Sequence, residues 1–204
     1  MQIYWYGQSF FKIEGKNVAI TTDPFTKDIG LRAPKSKTDI TLISHDFDYL
    51  DKSNGEGFLI NSPGEYEVKE VYIKGINSKN KKEDQNIIYL INIDDMKIAF
   101  LGGFGEKELS EKELDSFGDV DILILPIGNE DLVLDYKEAV HVINQIEPKI
   151  IIPMYYKING VKAPIDGSEK FLKEVGIKPE KVDKLKIIKK ELPTDESKLF
   201  IIET

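Results

Sequence analysis

Cysteine is absent from this 204-residue chain, and histidine occurs only twice. The first absence excludes disulfides, thiolate nucleophiles and every cysteine-ligated metal site. Long apolar runs are lacking as well. No segment approaches the length that crosses a bilayer, and Met1-Gln2-Ile3-Tyr4-Trp5 does not open a basic-then-apolar leader, so a cytoplasmic location is expected. Basic charge is the minor sign: 28 Lys and Arg stand against 36 Asp and Glu, a formal net charge of -8. A surface of that sign repels phosphate backbones and anionic headgroups, so neither nucleic acid nor a membrane is an expected partner. A G-x-S-x-G elbow is also missing, because Ser9 is followed by Phe10 and Phe11. Gly103-Phe104-Gly105 sits like a phosphate loop, but Glu108 takes the third glycine position and Glu106 would repel an anion.

What is present is enough apolar material, 41% with 10% aromatic, for one sizeable core, and residues 1–204 are read as one globular unit. Short runs rich in β-branched and aromatic residues predict strands at Gln2–Tyr6, Ser9–Glu14, Val18–Thr22, Ile40–Ser44, Phe58–Asn61, Val71–Ile76, Ile87–Ile93 and Lys97–Leu101. Most are expected to be joined by hairpins, with lysine-rich Lys79–Asp84 as one exposed turn. From Gly105 onward helical spacing appears at Glu106–Phe117, Asp135–Ile146 and Ser168–Val175. Between and after these lie the strands Asp121–Pro126, Lys149–Tyr155, Lys184–Lys190 and Leu199–Thr204. Fully apolar strands such as Ile122-Leu123-Ile124-Leu125 belong in a sheet covered on both faces. The order therefore predicts an α/β chain with two mixed sheets face to face and outer helices, a four-layer αββα sandwich. Lys184, Lys186, Lys189 and Lys190 alternate with apolar residues and read as the wet face of an edge strand.

Chemistry is expected first at Thr41-Leu42-Ile43-Ser44-His45-Asp46-Phe47-Asp48-Tyr49-Leu50-Asp51, where a buried strand ends in a histidine and a cluster of acids. Strand ends are where such sheets place ligands, and histidine with carboxylates is metal-ligand chemistry. The acids Asp46, Asp48 and Asp51 fail the spacing of a calcium loop, since Leu50 and Asp51 take its fifth and glycine positions, and solvated loop acids are the expected outcome. His141 shares its helix with an apolar stripe of Val140, Ile143 and Ile146 and is expected to face solvent with Gln145.

The His45 segment resembles the His-x-His-x-Asp-His motif of the metallo-β-lactamase superfamily, in its ascorbate-6-phosphate lactonase-like branch. Tyr6-Gly7-Gln8-Ser9-Phe10 with Thr22-Asp23-Pro24-Phe25 is similar to that branch's opening hairpin and Asp-Pro loop, and Ser62-Pro63-Gly64-Glu65-Tyr66-Glu67-Val68 to its Gly-Glu-Tyr-Glu turn. Gly118-Asp119-Val120-Asp121 and Ile143–Met154 carry the most specific likeness. The resemblance implies a metallo-β-lactamase-type sandwich and descent from a Zn-dependent hydrolase.

The departures fall on the implied ligands. Aligned without a gap, His45 keeps the first histidine while Phe47, Tyr49 and Leu50 replace the second histidine, the aspartate and the third histidine; a one-residue gap after Asp46 rescues Asp48 alone. Lys79-Asn80 follow Gly75-Ile76-Asn77-Ser78 where another histidine is implied. Gly103 stands for the bridging aspartate in Leu101-Gly102-Gly103, and Tyr155 for the histidine after Pro153-Met154. A zinc that activates water needs about three protein ligands and an open position. The expectation is thus a non-catalytic pseudoenzyme without metal or cofactor. Its site rim would be His45, Asp46, Asp48, Tyr49, Gly103 and Tyr155, and His45 would be a hydrogen-bonded histidine tying down the following loop. The alternative is a metal-dependent hydrolase of lactones, esters or phosphoesters, with one Zn, Mn or Fe on His45, Asp48 and Asp23 and with Tyr155 as a further candidate. Partners under the first reading are a small molecule, or a homo- or hetero-oligomer with a related subunit.

Overall fold

The computed structural model describes residues 1–204 except 33, 35, 36, 47–50, 52–56, 129 and 130. Its strands in chain order are β1 (Gln2–Trp5), β2 (Phe11–Glu14), β3 (Ala19–Thr22), β4 (Ile40–Leu42), β5 (Phe58–Ile60), β6 (Gly64–Val68), β7 (Val71–Lys79), β8 (Gln85–Ile93) and β9 (Met96–Phe100). Three helices then alternate with strands: α1 (Glu111–Phe117), β10 (Ile122–Pro126), α2 (Tyr136–Ile146), β11 (Ile150–Met154), α3 (Glu169–Val175), β12 (Pro179–Val182), β13 (Leu185–Lys186) and β14 (Lys198–Ile202).

The strands form two mixed sheets. A six-stranded sheet has the order β13-β1-β2-β3-β4-β5 and an eight-stranded sheet the order β12-β14-β11-β10-β9-β8-β7-β6. Period-two burial drives the antiparallel parts: Ile3 and Trp5 of β1 and Phe11 and Ile13 of β2 point inward while their neighbours are half-buried. β10 and β11 are buried at every position, and they pair in parallel at the middle of the larger sheet. One continuous core joins both inner faces, with Phe11 and Phe100 edge to face at 6.4 Å. The Tyr89 hydroxyl adds a polar tie, donating from β8 to the carbonyls of Ile43 at 2.8 Å and Ile60 at 3.1 Å in the other sheet.

This is the expected metallo-β-lactamase-type sandwich of two mixed sheets with outer helices. The three α-helices occupy the crossovers of the larger sheet, where α2 packs on α1, α3 and β10. Their caps set their lengths. Ser110 and Glu113 form a reciprocal capping box, so α1 begins at Glu111 rather than at the expected Glu106. Asp135 accepts the amides of Lys137 and Glu138 to start α2.

Several sequence expectations are corrected. Gly64-Glu65-Tyr66-Glu67 is an edge strand, β6, and not a turn; it is exposed along most of its length, so no apolar period marked it. β12, with Glu180 and Lys181 outward, was hidden for the same reason. Lys184–Lys190 supplies only the two-residue β13 before a 3-10 turn at Lys189–Glu191, although its place at a sheet edge is as expected. The buried stripe of α2 is Ala139, Val142 and Ile143. β3, β4 and β5 pair in parallel rather than as hairpins.

Candidate functional site

β3 and β4 run side by side in the same direction, so their C-terminal ends bring Asp23 and Ser44-His45 together. β9, β10 and β11 are likewise parallel, which sends Leu101-Gly102-Gly103 and Tyr155 off one edge of the second sheet. An isolated bridge between His45 and Asn86, and the bond from the Ile87 amide to the Ser44 carbonyl at 2.7 Å, join the two sheets here.

Asp23 is buried and both its oxygens are engaged by one residue: Oδ1 accepts the Ser44 amide at 2.7 Å and Oδ2 the Ser44 hydroxyl at 2.6 Å. Ser44 Oγ lies 2.6 Å from His45 Nδ1, and Asp23 Oδ2 is 3.7 Å from that nitrogen. The result is a buried chain of carboxylate, hydroxyl and imidazole. Burial pushes the Asp23 pKa up, against the opposing pull of His45, Ser44 and Ser9. Burial likewise pushes the His45 pKa down, against the carboxylates of Asp23 and Asp46. His45 therefore favours its neutral form, as expected of a hydrogen-bonded strand-end histidine.

Gly103 holds its place by donating its amide to Asn86 Oδ1 at 2.7 Å. A Cβ built on it would lie 3.1 Å from His45 Nδ1, and one on Gly102, whose φ is +59°, would lie 2.2 Å from Ser44 Oγ. This loop thus lies directly against the histidine. Tyr155 is buried with φ 56° and donates its amide to the Gln8 carbonyl at 3.2 Å.

Backbone conformation marks the same end of the molecule. Among the described residues, nine that are not glycine have positive φ. Lys69, Glu70, Glu83, Asp94 and Asp95 sit in hairpin turns and Glu147 caps α2, which leaves Gln8, Asp23 and Tyr155. Each such residue costs about 1–3 kcal/mol unless its surroundings hold it, and such strain gathers at functional sites. Buried polar groups gather here too: Ser9 Oγ faces the Asp23 carboxylate, and Gln8 Oε1 has no hydrogen-bond partner among the described residues.

Of the residues expected at the rim, His45 and Gly103 meet, with Asp23 behind them and Tyr155 linked through Gln8. Asp46 is exposed beside His45. Asp48 and Tyr49 lie outside the described residues, as do Phe47 and Leu50. Asn80 is spent on a turn, its Oδ1 accepting the amides of Lys82 and Asp84 at 2.8 and 3.0 Å. His141 faces solvent as expected, 3.9 Å from Glu108 on the helical side. Asn86, Gln8 and Ser9 as working parts were missed, and a lone amide or hydroxyl carries no sequence signal of burial.

The described donors do not suit a zinc ion. Asp23 has both oxygens committed to Ser44, Gly103 offers no side chain, and among the described residues no three His, Cys, Asp or Glu converge. The described residues do not by themselves supply the three ligands zinc takes.

Comparison with known proteins agrees with this architecture. Residues 2–155 match the model of a beta-lactamase superfamily domain. A UPF0173 protein of Pyrococcus abyssi is 28% identical over 186 residues, covering 78% of this chain and 85% of the relative. A crystal structure from Thermotoga maritima, assigned to a Zn-dependent hydrolase of the metallo-β-lactamase superfamily, superposes with a TM-score of 0.82 at 28% identity, covering 98% of each chain. A metallo hydrolase of Ignicoccus hospitalis shares the fold, with a TM-score of 0.63 at 16% identity over 86% of this chain and 90% of that one. The sandwich, the strand-end cluster around His45 and the match over residues 2–155 together place this chain in the beta-lactamase superfamily.

Proposed function

We propose that this chain is a non-catalytic member of its hydrolase-like family, and that the end of the sandwich around His45 serves binding or assembly rather than metal-activated hydrolysis. The observation that carries this reading is Gly103. Where the family resemblance implies a bridging acid, a glycine backbone is tied to Asn86 and packed against His45. The rim residues of this reading are His45, Asp46, Asp48, Tyr49, Gly103 and Tyr155. Its partners are a small molecule or a second subunit of the same fold, the net charge of -8 disfavours nucleic acid and membranes, and the location belonging to this reading is cytoplasmic. Protein purified without chelator is expected to carry zinc, manganese and iron far below one equivalent. One tightly held equivalent that vanishes in His45→Ala would overturn the reading.

A second reading is favoured by the 3.7 Å approach of His45 to Asp23 and by the Thermotoga maritima relative: a metal-dependent hydrolase with one divalent ion on His45, Asp48 and Asp23. Lactonase, esterase and phosphodiesterase assays with added zinc, manganese or iron(II) address it directly. Turnover that depends on metal and on His45 would establish it; silence in all three, with no metal-induced rise in melting temperature, would remove its support.

A further inference from the structure

We infer that Asn86 is the positioning residue of this site: a buried carboxamide that fixes the segments carrying His45, Ser78 and Gly103, so that the rim is assembled without a bound ion. The inference deepens the metal-free reading above and rests on it in that last respect.

Asn86 is fully buried. Its side chain has one acceptor oxygen and two N–H donors, and all are used. Oδ1 accepts the Gly103 amide at 2.7 Å, while Nδ2 donates to the Leu101 carbonyl at 2.9 Å and to Ser78 Oγ at 2.8 Å. Its backbone bridges His45 from the opposite sheet, and its carbonyl accepts the Ser78 hydroxyl at 3.3 Å. One residue thereby ties the end of β4, the end of β7 and the turn after β9. Those are three of the segments where the family resemblance implies ligands.

The chemistry requires an amide. Aspartate would turn an acceptor oxygen toward the Leu101 carbonyl in place of the Nδ2 donor, and an aliphatic side chain would leave the Gly103 amide buried without its acceptor and the Leu101 carbonyl with the Phe104 amide alone. The adjoining glycines fit the same geometry. A Cβ on Gly102 would fall 2.9 Å from Asn86 Oδ1 and one on Gly103 3.4 Å from it. Asn86 thus holds the turn down over Ser44 and His45, and His45 is 4% exposed.

The chain has two histidines, and His141 is exposed, so acylation by diethyl pyrocarbonate with peptide mapping contains its own control. In the unmodified protein His141 should react and His45 should be protected, with or without EDTA. In Asn86→Ala the His45 rate should rise about tenfold or more, the ratio that follows from losing roughly one buried hydrogen bond's worth of local stability. Asn86→Asp, of the same size, should also rise, and it serves if the alanine variant does not fold. Asp121→Asn, which removes the acceptor of Lys149 and Lys189 at the opposite end of β10 from the rim, should leave His45 protected although the protein is less stable. Protection of His45 unchanged in a folded Asn86 variant, or lost equally in Asp121→Asn, would overturn the role of Asn86. Exposure of His45 by EDTA in the unmodified protein would instead overturn the metal-free reading, since an ion would then be holding the turn.

Discussion

At Asp23 a carboxylate that the metal-dependent reading takes as a ligand is spent on holding Ser44, whose amide and hydroxyl it accepts at 2.7 and 2.6 Å. A side chain so committed cannot turn to a metal without abandoning two buried hydrogen bonds. The glycines opposite are equally constrained. Gly102 combines a φ of +59° with a Cβ position 2.2 Å from Ser44 Oγ, so both backbone conformation and space favour glycine. Gly102→Ala should destabilise the protein by about 2–4 kcal/mol, read as a fall in the urea midpoint at unchanged slope. A change below about 0.5 kcal/mol would show that the turn can lift from His45 at little cost.

Among the elements, capping boxes start α1 and α2, and the Tyr89 phenol is one of the polar ties between the sheets. Asp135→Ala removes the acceptor for two amides at the start of α2 and should cost about 1 kcal/mol. Tyr89→Phe strips the donor from the Ile43 and Ile60 carbonyls in the dry space between the sheets, with an expected loss of about 1–3 kcal/mol. Burial pushes the Tyr89 phenol above its ordinary pKa, so it remains a donor through the alkaline range in which an exposed tyrosine ionises. Absorbance titration of Tyr89→Phe should lose a tyrosine that ionises only on unfolding. If the lost tyrosine titrates normally, the cross-sheet tie is not formed.

For the molecule as a whole, acid stability should centre on Asp121 at the end remote from His45. Burial pushes its pKa up, but hydrogen bonds from Lys149, Lys189 and the Lys97 amide outweigh burial and hold it below the ordinary 3.8. A carboxylate with a lowered folded pKa stabilises above its unfolded value, and that contribution is lost as pH falls from 3.8 through the folded value. Asp121→Asn should therefore lower the melting temperature at neutral pH, with a cost of about 1–3 kcal/mol, and flatten its decline below about pH 4. Parallel curves for the variant and the parent would mean that other carboxylates govern acid unfolding. The lysines are half-exposed, so added salt should weaken the effect only in part.

The sequence by itself determined the sandwich. Period-two runs such as Ile3 and Trp5 and the wholly apolar β10 and β11 are local patterns, and burial follows from them. It also marked His45 and the positions that lack implied ligands, because absent side chains are visible without coordinates. The polar edges β6 and β12 escaped, since an exposed strand takes its form from a neighbour distant in the chain. Only the tertiary structure decided what Asp23, Gly103 and Asn86 do. Each role rests on a hydrogen bond between segments distant in the chain, 21 positions for Asp23 with Ser44 and 17 for Gly103 with Asn86. Asn86 looks like any amide at the start of a strand until the fold sets the Gly103 amide, the Leu101 carbonyl and the Ser78 hydroxyl around it.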